Sequence, residues 1–133
     1  MICYDSPYLT VSWNTTECFT HIEFKRLAEG DNFKIGLDKI IEVLEANQGF
    51  KHLGDLRNMR VISLEDQFWG INNWTPRAMK AGLRYAANVY PKLAMSQVAL
   101  QDVIMNVEGV GLEIANFLEP ADAIKWLSTK KQT

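Results

Sequence analysis

The sequence predicts an α/β fold with one mixed sheet of about five strands, built from an N-terminal hairpin and parallel strands and flanked by helices. Segments with alternating apolar residues are separated by segments with helical spacing, which is typical of parallel sheets with crossover helices. A short strand followed by turn formers at the N-terminus adds antiparallel pairing. Because the chain has 133 residues, 47% of them hydrophobic and 23% charged, we expect a single domain over residues 1–133.

The composition disfavours several classes of function. Fourteen basic and sixteen acidic side chains give a net charge of -2, and no basic run is longer than Lys130-Lys131, so nucleic-acid binding through phosphate neutralisation is disfavoured. No signal segment or membrane span of roughly 18 apolar residues is seen, so we expect a cytoplasmic protein. Cys3 and Cys18 lack metal-ligand spacing, which indicates reduced, packed thiols, with a disulfide between them as a minor alternative.

The N-terminal segments are predicted as a hairpin. Residues 8–13 alternate strictly between apolar and polar side chains, as in a half-buried strand. Residues 2–4 can pair with this strand across the turn formers Asp5-Ser6-Pro7. This hairpin supplies the antiparallel part of the sheet.

The segment 19–48 is predicted as helical, with a break near Gly30. The apolar residues of segment 19–29 alternate, which fits a strand. The spacing of Thr20-His21-Ile22-Glu23 also fits a capping box, which indicates a helix. We predict the helix. In residues 33–44 the apolar side chains recur every three or four positions. This spacing indicates an amphipathic helix.

The rest of the chain alternates between strands and helices. Strands are predicted at residues 51–57, 83–90 and 112–118. Helices are predicted to begin at Ser63, near Pro76 and at Ser96, and to span residues 120–127. Right-handed crossovers would make these strands parallel.

The same periodicities predict the interior. The strands should contribute Leu9, Val11, Trp13, Leu53, Ala87, Val89, Ile114 and Phe117. The covering helices should contribute Ile40, Leu44, Val103 and Trp126. The segments 51–57 and 83–90 should pair in one sheet.

The first candidate site is an interaction or switch surface at the end of the 51–57 strand. Asp55 and Arg57 lie at its carboxyl end, and Ser63 and Asp66 follow at a helix N-terminus, where open α/β sheets place binding or switching chemistry. The structural alternative is that Asp55 and Arg57 pair with each other or with turn amides. Ser63 would then be an N-cap whose capping box Asp66 completes.

The second candidate site is a pocket edged by aromatic residues. Trp69, Trp74 and Arg77 follow the Ser63 helix and are candidates to line a pocket for a planar or acyl ligand. The alternative is that these aromatic side chains close the core.

No catalytic, metal or cofactor site is predicted. His21 is placed in the first turn of a helix and His52 in a buried strand. Neither has a cysteine, a serine or a second histidine at motif spacing, so neither is expected to be catalytic or to bind a metal.

Several of these segments together resemble the SpoIIAA-like, or STAS-like, fold group, in particular a branch of small bacterial proteins of unassigned function. The segments that carry the resemblance are Leu53-Gly54-Asp55-Leu56-Arg57, Ser63-Leu64-Glu65-Asp66, Trp69, Trp74-Thr75-Pro76-Arg77, and Phe117 through Ala123 to Trp126-Leu127. The resemblance covers nearly the whole chain. It implies a fold of the kind predicted above, but one fold serves many functions.

The resemblance also bears on Ser63. In the anti-sigma-factor antagonists of this group, a phosphorylatable serine within an Asp-Ser-x-Gly motif begins the corresponding helix, and Ser63 is its positional match. Here Ile62 replaces the aspartate of that motif and Glu65 its glycine. These departures favour the N-cap role over a phosphorylation switch.

Three hypotheses of function follow. The resemblance implies a non-enzymatic regulatory or protein-interaction module that meets an unidentified protein partner. The alternative is a domain that binds a small apolar, lipid-like ligand near Trp69 and Trp74, and a third is an enzyme with an unrecognised site. For the oligomeric state, a homodimer is an alternative to a monomer.

Overall fold

The computed structural model describes residues 1–26, 28–58, 63–89 and 111–131. Its strands are β1 (Ile2–Asp5), β2 (Leu9–Asn14), β3 (Phe19–Phe24), β4 (Lys51–Asp55), β5 (Tyr85–Val89) and β6 (Glu113–Phe117). Its helices are α1 (Asp31–Asn47), α2 (Leu64–Trp69), a π-helical segment (Gly70–Trp74), α3 (Thr75–Lys80) and α4 (Pro120–Ser128).

The strands form one mixed sheet whose spatial order is the order of the chain, β1-β2-β3-β4-β5-β6. The pairs β1/β2 and β2/β3 are antiparallel, and the pairs from β3 to β6 are parallel. The predicted α/β fold with an N-terminal hairpin, parallel strands and flanking helices is confirmed. The sheet has six strands rather than about five.

The additional strand is β3, and the helix predicted for residues 19–29 is wrong over Phe19–Phe24. β3 lies between β2 and β4, so its backbone is hydrogen-bonded on both sides. Phe19 packs on one face of the sheet, whereas Ile22 and Phe24 pack on the other. These tertiary interactions outweigh the local capping signal, which is a weak determinant of structure.

The alternation of the strands divides the core into two layers. One face of the sheet, which we call the α1 face, packs against α1 and α3 through the cluster that contains Leu9, Val11, Ile22 and Leu44. The opposite face, the α4 face, packs against α4 through Phe19, Leu53, Val89 and Leu127. The buried ammonium of Lys51 anchors α4 by donating to the Leu127 carbonyl at 3.1 Å.

The predicted interior is confirmed for the residues that the structure describes. Six of the strand residues are buried: Leu9, Val11, Trp13, Leu53, Ala87 and Val89. Ile114, Phe117 and Trp126 are partly buried against the two clusters, and Ile40 and Leu44 are buried in α1. Val103 and the helix predicted from Ser96 lie outside the described residues.

The two helices predicted to begin at Ser63 and near Pro76 form one continuous helical path. The π-helical segment joins α2 directly to α3. At the end of this segment, the Thr75 amide donates to the carbonyl of Gly70, five residues earlier in the chain. Because proline cannot donate a backbone hydrogen bond and crowds the preceding turn of an α-helix, this wider turn accommodates Pro76 without breaking the helical path.

Two further expectations concern thiols and membrane spans. Cys3 and Cys18 are free thiols, and both are exposed rather than packed. Among the described residues, no helix combines the length and apolar character that crossing a membrane requires.

Candidate functional site

An apolar pocket of about 140 Å³ lies between the α1 face of the sheet and the helices that cover it. Its floor is formed by alternate residues of β3 to β6, and its walls come from α1 and from the helical path of α2, the π-helical segment and α3. The apolar lining includes Phe24, Phe33, Leu37, Trp74, Leu83 and Ile114. A pocket of this kind, with few polar groups, is typical of small-molecule binding sites.

Two polar side chains, Asn88 and His52, lie close to Gly54 in the pocket floor. A Cβ at this position would lie 2.8 Å from Oδ1 of Asn88 and 3.6 Å from Nε2 of His52. The Asn88 carboxamide makes no hydrogen bond to another described residue, so its oxygen is available to a donor. Because position 54 has no side chain, the Asn88 oxygen can lie there beside His52, and both side chains line the pocket.

The His52 imidazole is held in place through its Nδ1 atom. Its Nδ1 lies 2.7 Å from the Thr20 hydroxyl, which also donates to the Lys51 carbonyl at 3.3 Å. When Thr20 donates to this carbonyl, its oxygen accepts from Nδ1–H, and Nε2 is left as an acceptor. Burial lowers the pKa of His52 to about 3, so the imidazole is neutral near pH 7.

The predicted N-cap at Ser63 is observed. Its hydroxyl accepts from the Asp66 amide at 3.1 Å. The capping box is incomplete, because the Asp66 carboxylate accepts from the Gly30 amide at 3.1 Å instead of turning back to Ser63. Asp66 is 2% exposed and lines the pocket, so it does not belong to an exposed surface with Ser63.

The N-cap geometry predicts different effects for two substitutions at Ser63. Ser63→Ala should lower the free energy of unfolding by about 1 kcal/mol because the Asp66 amide loses its acceptor, whereas Ser63→Asp should remain close to wild type. Urea unfolding of the three proteins measures both values. An equal loss in both variants would contradict the capping role, and a phosphate on Ser63 in protein from its native cell would support the switch instead.

Of the three residues predicted to edge a pocket, only Trp74 lines the one observed. Its indole Nε1 donates to the Leu37 carbonyl at 2.6 Å and thereby fixes the π-helical segment to α1. Trp69 packs edge-on against Phe33, with the Arg77 guanidinium 5.7 Å from the centre of its indole ring. Arg77 also donates to Asp38 at 2.7 Å. Trp69 and Arg77 therefore stabilise the outer side of the helices.

Asp55 and Arg57 pair with each other, as the structural alternative predicted. Arg57 Nε donates to Oδ1 of Asp55 at 3.0 Å and its Nη2 to Oδ2 at 2.8 Å. Burial opposes ionisation of Asp55, but the hydrogen bonds from Arg57 outweigh it and lower the pKa of this carboxyl. Because Asp55 is on the α4 face and Asp66 packs beside α1, the four predicted surface residues do not form one surface.

The α4 face carries a polar cluster that sequence reasoning missed. His21 and Glu23 of β3 and Asp55 of β4 place one ligand atom each within 4.8 Å of one another. Nε2 of His21 is buried and has no hydrogen-bond partner among the described residues. In a helix, residues 21 and 23 would diverge, whereas in a strand they share a face. The alternation of residues 19, 21 and 23 was the signal that could have revealed the cluster.

Comparison with known proteins identifies the fold. No protein-family model matches the chain, and no curated protein matches it. In structure it is similar to an uncharacterised protein of the DUF3478 family with a SpoIIAA-like fold from Shewanella loihica PV-4, with a TM-score of 0.54 and 10% sequence identity over 94% of this chain and 98% of that one. At this identity the likeness concerns the fold, not the activity. The chain therefore has a SpoIIAA-like fold.

Proposed function

We propose that this protein binds a small, mainly apolar molecule that carries a single hydrogen-bonding group. The observation that supports this proposal is the pocket on the α1 face, whose lining is apolar except for a few polar groups. The ligand's polar group would meet Asn88 and His52 beside Gly54, and its apolar body would contact Phe24, Leu37 and their neighbours. This division of roles is common in ligand pockets, where polar groups fix the orientation of an apolar body.

The volume of the pocket limits the size of the ligand. An apolar protein cavity of roughly 150 Å³ holds benzene, and this pocket measures about 140 Å³. A molecule with one six-membered ring therefore fits, whereas a full lipid chain would need the helices to move. The pocket volume therefore restricts the size of the lipid-like ligand suggested by the sequence to that of a molecule with one ring.

The electrostatics of the pocket favour binding over catalysis. A general acid or base works best when its pKa is near the working pH, but burial lowers the pKa of His52 to about 3. The imidazole therefore offers a fixed hydrogen-bonding group and is a poor proton carrier at neutral pH. This property of His52 supports a binding role for the pocket.

The proposal predicts that phenol, a single ring with one hydroxyl, binds in this pocket. Titration followed by two-dimensional NMR should give saturable shifts of backbone amides that border the pocket, including Ala86 and Asn88. Ala86→Leu should abolish these shifts because Ala86 lies on the pocket floor and the added carbons occupy the ligand's space. Ala46→Leu, the same change at an exposed position of α1, is the control and should bind like wild type.

Two results would contradict the pocket assignment. One is the absence of saturable shifts with phenol, benzene and indole in the folded wild-type protein. The other is unchanged binding by a folded Ala86→Leu variant. Native mass spectrometry of freshly purified protein complements this titration, because a co-purified molecule of ring size would identify the natural ligand and the subunit count together.

A second candidate function, a protein-interaction module, is favoured by the exposed side of α2. Leu64 and Phe68 are 69% and 60% exposed, and their spacing of four residues places them side by side on the helix. Neighbouring exposed apolar side chains beside Ser63 are a feature of interaction surfaces. In this proposal, Ser63 borders the contact, whereas the buried Asp66 does not take part.

A further inference from the structure

We propose that His21, Glu23 and Asp55 form a binding site for a divalent transition-metal cation, with Zn²⁺ as the reference ion, on the α4 face of the sheet. The site is separate from the ring-sized pocket because alternate residues of β3 and β4 point to opposite faces. Its two carboxylates are neighbours in the parallel register, which pairs Glu23 with Asp55. His21 precedes Glu23 by two residues and therefore lies on the same face.

The spacing of the three side chains fits a shared ion after small rotations. Their ligand atoms lie within 4.8 Å of one another. Zn²⁺ binds imidazole nitrogen and carboxylate oxygen at about 2.0–2.2 Å, so two atoms on one ion are at most about 4.4 Å apart. One imidazole and two carboxylates also form a donor set that suits zinc, iron or manganese better than calcium.

The His21 imidazole supplies a second, independent observation. Its Nε2 is buried and finds no hydrogen-bond partner in the described part of the chain, although an unsatisfied buried polar atom is costly. A metal ion beside this atom would satisfy it. Burial also lowers the pKa of His21, and the neutral imidazole is the form that binds metals.

Arg57 both supports and opposes metal binding. It orients Asp55 through two hydrogen bonds, but its charge repels a cation at the same carboxylate. An ionised carboxylate has about four acceptor positions, so Asp55 retains capacity for a metal while bound to Arg57. Removing the arginine charge should therefore strengthen metal binding, an effect that a purely structural cluster would not produce.

Isothermal titration with Zn²⁺ tests the site. The protein should carry Cys3→Ser and Cys18→Ser, because both thiols are exposed and would bind Zn²⁺ themselves. We expect one ion per chain and a loss of affinity of at least about tenfold in both His21→Gln and Glu23→Gln, since each removes a ligand. Glu29→Gln, at an exposed position outside the cluster, is the matched control and should leave the affinity unchanged.

Two further measurements complete the test. Arg57→Gln should bind Zn²⁺ more tightly than the parent protein, and the Nε2 resonance of His21 should shift on titration. Circular dichroism should confirm that each variant is folded. Glu23 is exposed, so Glu23→Gln should leave the core unchanged. The proposal is overturned if the parent protein shows no saturable binding of one ion, or if folded His21→Gln or Glu23→Gln binds with unchanged affinity.

Discussion

Val11→Asp is expected to lower the free energy of unfolding by about 3–5 kcal/mol, the effect of burying a charge without a partner. Val11 is 0% exposed on the α1 face, and it lies opposite Ile22 in the β2/β3 register. A carboxylate at this position would meet only apolar neighbours. Because small proteins have a total stability of roughly 5–15 kcal/mol, the variant should be largely unfolded at moderate temperature. Thermal and urea unfolding measure the loss.

Ser12→Asp is the matched control for this prediction. Ser12 is the next residue of β2, is only partly buried, and lies beside His21 on the α4 face. A carboxylate there keeps contact with water, so the loss should be under about 1 kcal/mol. Because a register shift of one residue exchanges the faces of a strand, similar losses in Val11→Asp and Ser12→Asp would contradict the assigned faces.

Local patterns were sufficient to predict most of the fold. Strict alternation predicted β2, helical spacing predicted α1, and the serine before an acidic turn predicted the N-cap of α2. β3 was missed because its local spacing also fits a capping box. What decides its conformation is its place between two other strands, and strand neighbours are not visible in a local pattern.

The pocket was harder to predict than the fold for a geometric reason. Trp69 ends α2, whereas Trp74 ends the π-helical segment, so the sequence spacing of the two residues does not say which faces they share. Of the two, only Trp74 lines the pocket. The polar atoms of the floor come from His52 and Asn88, which are distant in sequence and meet through the β4/β5 register. The hydrophobic pattern within one segment does not reveal how that segment pairs with another strand.

His52 is expected to make the protein sensitive to acid. Burial lowers its pKa from 6.5 to about 3 in the folded protein, so below about pH 6.5 the unfolded chain takes up a proton that the folded protein does not. Protons therefore favour unfolding, and the stability supplied by the neutral imidazole is lost as the pH falls from about 6.5 to about 3. Between the two pKa values, each pH unit should cost roughly 1 kcal/mol.

The measurement is the difference in unfolding free energy between wild type and His52→Gln, obtained from urea titrations between about pH 7 and about pH 4. Glutamine does not titrate, so wild type should lose stability relative to the variant with every step towards acid, by several kcal/mol in total. Asp5 and Asp55, whose pKa values are lowered in the folded protein, also cause acid losses, but these occur in both proteins and largely cancel in the difference. A difference that stays constant across this range would show that His52 is not held neutral by burial. It would also remove the argument that this residue is a fixed hydrogen-bonding group in the pocket.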